Sequence, residues 1–176
     1  MTTDKILEML KAKFPEYSFS LDNSLPIDSF IIVEALNLKE VCKFLRDDEK
    51  LQFDNLMNLS GVDDNNAKKE KDENGIEKLV GRTLSVYYHI ESMQLNQKVN
   101  LKVSMPIEKP EVDSVESVWK CADWHEREAF DMFGIIFLNH PNLIRILMPY
   151  DWEEGSYPLR KDFETPEFYN GMKIPY

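Results

Sequence analysis

The chain has 176 residues, enough for one domain with some length left over for an appendage. Its 43% hydrophobic and 11% aromatic content supports a packed interior and excludes a largely disordered chain. Lysine and arginine total 21 against 32 acidic residues, and the resulting formal charge of −11 repels phosphate backbones and anionic headgroups, which argues against direct nucleic-acid or lipid binding.

The first residues, MTTDKILEMLKAKF, match neither a secretory signal nor an arginine-rich transit peptide, so the chain is expected to stay in the cytoplasm where it is made. No apolar run approaches the ~20 residues that cross a bilayer, so direct membrane insertion is not expected. Cys42 and Cys121 are far apart and read as reduced thiols. Asp4 to Phe14 carries Ile6, Leu7, Leu10 and Phe14 on one helical face before Pro15 stops it. A strand is predicted over Ser29 to Ala35, a helix over Leu38 to Lys50, and a second strand over Leu56 to Val62. Asp63 to Lys78 is almost wholly polar and reads as a solvated hairpin loop.

Thr83 to Glu91 alternates cleanly, with Leu84, Val86, Tyr88 and Ile90 on one face. Val99, Leu101, Val103 and Met105 repeat the pattern, so the two strands should pair antiparallel through Ser92 to Gln97. The fold class expected is α+β, a small mixed or antiparallel sheet with one face covered by helices. Apolar positions at Val115, Val118, Ala122, Ala129 and Phe133 predict a long helix over Val112 to Phe133. Its stripe is interrupted at His125 and Glu126, through either a slight rotation or a polar network. From Ile135 to Tyr176 periodicity vanishes and five prolines intervene, yet Phe137, Leu147, Trp152 and Leu159 are too apolar to leave in water. The division expected is therefore a core over residues 1–134 and an extended partner-docking tail over 135–176.

Catalytic and cofactor motifs are sparse. Six scattered glycines build no phosphate-cradling loop, and two cysteines fall short of the four that ordinarily hold an iron–sulfur cluster. Cys121 and His125 lack a second pair of zinc ligands, and Ala129 stands where a helical zinc-protease motif needs its second histidine. Glu126 and Glu128 point to different sides of a helix, while Glu128 and Asp131 could meet. An independent hydrolase using those two carboxylates is one reading; a helix-face ion pair of Arg127 with Asp131 is the other.

Glu126 to Asp162, EREAFDMFGIIFLNHPNLIRILMPYDWEEGSYPLRKD, resembles the C subunit, the thirty-kilodalton subunit, of the proton-pumping NADH:quinone oxidoreductase, respiratory complex I. The resemblance joins the signature ERE..D.FG to F..HP...R.L.P..W and then to PLRKD, with a longer turn at Trp152 to Pro158 than the family's compact form. It implies a peripheral-arm subunit beside the quinone-reducing module, on the cytoplasmic side of the membrane and held there by its complex. The chief partner implied is the D subunit of that complex, with neighbouring quinone-module subunits, and the chain would not be catalytic alone. FMN and iron–sulfur clusters would lie on partner subunits, with no cofactor in this chain. By the family pattern Glu126, Arg127, Glu128, Asp131 and Gly134 form the helix signature, Gly134 letting the chain leave the helix. His140, Pro141, Arg145, Trp152, Pro158, Leu159, Arg160, Lys161 and Asp162 complete the signature and the partner interface. An alternative within the relatives is the homologous subunit of a ferredoxin- or deazaflavin-fed quinone reductase or a membrane-bound hydrogenase, because the donor site would lie on other chains.

Overall fold

The structure, a computed structural model, describes residues 1–23, 29–71 and 77–174. Helix α1 (Thr3–Lys13) buries Ile6 and Leu10 completely and places Lys11 and Lys13 in its last turn, where cations complement the helix dipole. Strands β1 (Ser20–Asp22) and β2 (Phe30–Ile32) lead through one 3-10 turn (Ala35–Asn37) into α2 (Leu38–Asp47). The predicted stripe is the buried one, Leu38, Val41, Cys42 and Leu45. The helix ends before Lys50 because Asp48 turns extended, which carries Leu51 and Phe53 into the core. Both cysteines are free; Cys42 is buried, and burial, then Glu126, pushes its thiol above the ordinary range.

Strand β3 (Asn55–Asp63), the small pair β4 (Lys68–Lys71) and β5 (Glu77–Val80), and the long strands β6 (Thr83–Ser92) and β7 (Gln97–Pro106) follow. β6 and β7 pair antiparallel as predicted, with Leu84 opposite Met105, Val86 opposite Val103 and Tyr88 opposite Leu101, all buried. The five-stranded sheet runs β1-β2-β7-β6-β3, mixed because β2 lies parallel to β7. The polar segment expected to be a loop instead carries strands β4 and β5, with residues 72–76 between them outside the described ones. Its base is fixed by Asp64 N–H to Thr83 O and by Asn66, which bonds both the Thr83 N–H and its hydroxyl, so backbone pairing extends outward from the β3–β6 ladder.

The long helix expected over Val112 to Phe133 is also corrected. Glu111–Asp113 is strand β8, and only Ala122–Phe133 is helical (α3). Between them Val118 N–H and Trp119 N–H both bond to Val115 O, and Ala122 N–H bonds to Trp119 O. These tight turns place Val115, Val118, Trp119 and Ala122 inward at near-helical spacing, which imitates one continuous stripe. The core continues past Gly134: Ile135 is fully buried and β9 (Ile136–Leu138) pairs parallel with β8. Beyond Asn139 the regular elements among the described residues are β10 (Phe168–Tyr169) and β11 (Met172–Lys173); Pro175 and Tyr176 lie outside those residues.

Helix α3 crosses the edge strand β3 at Gly61, where an added Cβ would stand 2.8 Å from Phe133 and 3.3 Å from both Ala129 and Ile135. Gly61→Val gains up to ~1 kcal/mol of strand propensity. Overpacking against three core side chains costs ~1–3 kcal/mol and wins. Urea unfolding should therefore show a lower midpoint for Gly61→Val; an unchanged or higher midpoint would refute the close approach.

Candidate functional site

The charged side chains of α3 go to separate places. Glu126 is fully buried beneath the bend that precedes its own helix, where one carboxylate oxygen accepts Ser114 Oγ–H at 2.6 Å and the other Val115 N–H at 2.7 Å. Burial pushes its carboxyl up to about 7 against the pull of those two bonds. Beside it lies the imidazole of His140, with a fully buried side chain. Its Nδ1 accepts Asn142 N–H at 3.0 Å, which assigns the proton of the neutral ring to Nε2. That nitrogen stands 3.2 Å from Asp123 Oδ1 and 3.8 Å from Glu126 Oε2, seating the His140-Pro141 turn against the helix. Arg127 does not form the predicted pair with Asp131. It pairs one turn back with Asp123 at 3.0 Å and stacks over exposed Trp124 at 4.1 Å, because Asp131 is occupied elsewhere.

Asp131 is buried and grips the tail. Its Oδ2 accepts three consecutive backbone N–H groups, from Ile146 at 3.1 Å, Leu147 at 2.8 Å and Met148 at 2.9 Å, while Arg145 Nη1 lies 4.0 Å from Oδ1. Converging amides of this kind form an anion-binding nest. At the end of the helix Gly134 adopts φ 72°, ψ 27° and returns its N–H to Phe130 O at 2.8 Å. A side chain there would meet the left-handed penalty and overlap the Tyr157 ring, which occupies the space a Cβ would need. The last carbonyls of a helix have no partner within it. Here the tail supplies two, Leu159 N–H to Met132 O at 3.2 Å and Arg160 Nε–H to Phe133 O at 2.6 Å. The Arg160 guanidinium also lies 4.2 Å above Tyr157, and burial lowers its pKa.

A third grip comes from residues that carry no periodic signal in the sequence. Asp63, with a fully buried side chain, pairs with Arg82 and accepts Lys161 N–H at 2.9 Å and Asn65 N–H at 3.1 Å. Arg82 reaches on to Asp162 with two bonds, 2.8 and 3.0 Å. Burial opposes ionisation of Asp63, yet the Arg82 bond and the two amides hold its carboxyl down to about 2. Trp152 gives Nε1–H to Ser156 O at 3.1 Å, so the turn to half-buried Pro158 closes on itself through Gly155 at φ 82°. Pro141 and Lys161 are exposed.

Glu128 and Asp131 are not brought together as a working pair: Asp131 is engaged by amides, while exposed Glu128 borders a groove of about 300 Å³ with His125, Leu159 and Asn58 to Gly61 of β3. No group of three or more histidine, cysteine or acidic side chains placed to hold a metal ion occurs among the described residues. The arrangement fastens an irregular segment to the domain and leaves Ile144, Leu147, Tyr150, Leu159, Phe168 and Met172 facing outward, Tyr150 at 97% exposure.

The profile of the family described as respiratory-chain NADH dehydrogenase, 30 Kd subunit, matches residues 31–169. The C subunit of the NADH-quinone oxidoreductase of Chlorobium phaeobacteroides is 36% identical over 170 residues, covering 96% of this chain and 93% of that one. Its counterpart in Chloroherpeton thalassium is 39% identical over 170 residues, but this chain spans only 63% of its length. A solved trypsin-resistant fragment (1-134) of Nqo5 shares the fold at TM-score 0.61 and 22% identity, covering 81% of this chain and all of that one. A chain of an archaeal membrane-bound sulfane sulfur reductase shares it at TM-score 0.66 and 19% identity, covering 92% and 85%.

The buried carboxyls make opposite pH predictions. Glu126 titrates at about 7 in the fold against an ordinary 4.5, so the folded state keeps a proton that the unfolded chain has lost. Its contribution to stability is greatest below the ordinary value and declines as pH rises through about 7. Asp63, held at about 2, contributes above its ordinary 3.8 and loses that contribution as pH falls toward 2. Glu126→Gln keeps an acceptor for Val115 and offers a donor to Ser114 Oγ. Unfolding free energies of this variant should lose most of the parent's decline between about pH 5 and 7 and exceed the parent's at pH 8, by on the order of 1–3 kcal/mol. An undiminished slope in the glutamine variant would show that Glu126 is not its source.

Proposed function

Because the chain belongs to the 30 Kd subunit family of the respiratory-chain NADH dehydrogenase, we propose that it acts as a docking subunit of the peripheral arm of a proton-translocating NADH-quinone oxidoreductase. In this reading it sits beside the quinone-reducing module, on the cytoplasmic side of the membrane, and binds the D subunit of the complex together with neighbouring subunits. It supports electron transfer from NADH to quinone without a cofactor of its own, FMN and the iron–sulfur clusters residing on partners. Two cysteines, where a cluster ordinarily takes four, support that division of labour. Among the described residues no helix is long and apolar enough to cross a membrane; in this reading attachment runs through partner chains.

The observation that carries the reading is the fastening of the tail by buried Asp131 and Asp63 while its apolar side chains face outward. A tail serving only its own domain would turn those side chains inward, because each fully buried leucine or similar residue is worth about 1.5–3 kcal/mol. Leu147 is 58% exposed although its own N–H is bound to Asp131, so the clasp itself presents the side chain. A partner surface is the natural place for it.

Two variants separate clasp from surface. Leu147→Asp combined with Tyr150→Ala should leave the unfolding free energy of the isolated chain within about 0.5 kcal/mol of the parent, since both side chains point to solvent. The same double variant should leave the chain largely outside the assembled complex on native gels. Normal assembly at normal quinone-reductase turnover would remove the docking role from this surface. Arg160→Ala should instead lower the unfolding free energy of the isolated chain by about 1–3 kcal/mol, because it strands the Phe133 carbonyl and uncovers Tyr157. Arg160→Lys should recover part of that loss, an ammonium lacking the planar fork; unaltered melting in Arg160→Ala would place the residue outside the clasp.

A further inference from the structure

At the far end of the tail, Trp152, Phe168 and Tyr169 wall a pocket of about 250 Å³ whose lining also includes Asp151, Glu153 and Glu164. We propose that this pocket receives an arginine side chain of a partner chain. The inference deepens the docking reading and rests on it.

The pocket is built rather than incidental. β10 and β11 are joined by Asn170-Gly171, both at positive φ (48° and 75°), the backbone that a two-residue hairpin turn requires. So short a hairpin is not stable alone. It is held to the Trp152 turn by Tyr169 Oη–H and Asn170 Nδ2–H, which donate to the two oxygens of Asp151 at 2.8 and 3.2 Å. Trp152 is fixed in turn by its bond to Ser156 O, with the Tyr169 ring 5.9 Å away at 40° and Phe163 at 6.3 Å on another side. A rigid aromatic wall therefore stands beside three carboxylates. Among the described residues no lysine or arginine forms an ion pair with Asp151, Glu153 or Glu164. The nearby Arg160 is committed to Phe133 O and Tyr157.

Charge and size choose the occupant. The faces of aromatic rings and a rim of carboxylates both favour a cation over an anion, and the unpaired carboxylates disfavour a neutral apolar group, which would desolvate them without a partner. At about 250 Å³ the space lies below the ~300–1,000 Å³ usual for small-molecule sites and suits one inserted side chain. A guanidinium matches it better than an ammonium, because it stacks flat on a ring while donating bidentate bonds to a carboxylate. Phe168 is 57% exposed, so part of the aromatic lining is accessible from solvent.

The test uses the full chain and three probes: Nα-acetyl-arginine methylamide, its lysine counterpart, and the citrulline counterpart as a neutral isostere. The arginine probe should shift the Trp152 indole N–H and the Gly171 amide in two-dimensional NMR, the lysine probe less, and the citrulline probe not at all. Glu153→Gln with Glu164→Gln, which removes charge without touching the Asp151 bridge, should weaken the arginine response about ten-fold and lower recovery of the chain in assembled complex. Equal responses to arginine and citrulline, or an arginine response unchanged in the double variant, would overturn the proposal. If the Leu147→Asp, Tyr150→Ala chain stays out of the complex while Glu153→Gln, Glu164→Gln assembles normally, the docking reading stands and the arginine pocket falls. If both assemble normally, the docking reading itself fails.

Discussion

The tail of this protein depends on a carboxylate that has nowhere else to go. Asp131 lies buried on the inner side of α3, and a charge so placed is strongly unfavourable unless it is paired or fully hydrogen-bonded. Its own helix offers no free donors at that position, since helical N–H groups beyond the first turn are already engaged. The three amides of Ile146 to Met148 supply them to Oδ2, while the Arg145 guanidinium pairs with Oδ1 at 4.0 Å. The dependence runs both ways: without the carboxylate these amides would lose their common acceptor, and without the segment the carboxylate would lose its donors.

The same exchange recurs at two further places where the tail touches the domain, beside the apolar packing of Leu143 and Met148 on the core. Met132 and Phe133 end a helix with unpaired carbonyls, and the Leu159-Arg160 segment pairs them. Asp63 ends an edge strand with a buried carboxylate, and the Lys161 amide joins Arg82 in satisfying it. An irregular chain has no ladder in which to place its own polar groups. Here side chains and helix ends of the domain substitute for a ladder at selected positions, which frees the apolar side chains between them to face outward. Gly134 makes the geometry possible twice over, by its left-handed turn and by the space it leaves for Tyr157.

How much of this was readable from the sequence follows from the range of each interaction. The alternation in Thr83 to Ser92 and Gln97 to Pro106 announced a paired ladder because both its periodicity and its turn are local. The stripe of α2 was legible for the same reason. Val112 to Phe133 misled because successive tight turns imitate helical spacing; the Glu126 bonds that hold the bend, back to Ser114 and Val115, are invisible to a periodicity argument. The Arg127 and Asp131 spacing suggested an ion pair, but spacing cannot reveal that a remote segment has claimed one partner. Asp63 and Arg82 were the hardest, because the contacts that give them meaning lie 98 and 80 residues away along the chain. The family resemblance pointed to ERE..D.FG and PLRKD as separate motifs; in the structure they meet at the C-terminal end of one helix, where Arg160 bonds to Phe133 O.

Fastening the tail before any partner arrives has an energetic consequence for assembly. Ordering a disordered residue costs ~1–2 kcal/mol of backbone entropy, so a segment of tens of residues that folded only upon docking would consume much of what its interface gains. Buried polar clasps shift that cost into the folding of the subunit itself, where a packed core is available to offset it. In the docking proposal the apolar side chains on the outer surface would then meet a partner already in position, and their burial would go mainly into association. Hydrophobic packing alone could fasten a tail, but it would use the very side chains that the docking proposal assigns to a partner. Anchoring by carboxylates, amides and one arginine on the inner side leaves Leu147, Tyr150 and Leu159 free for the outer one.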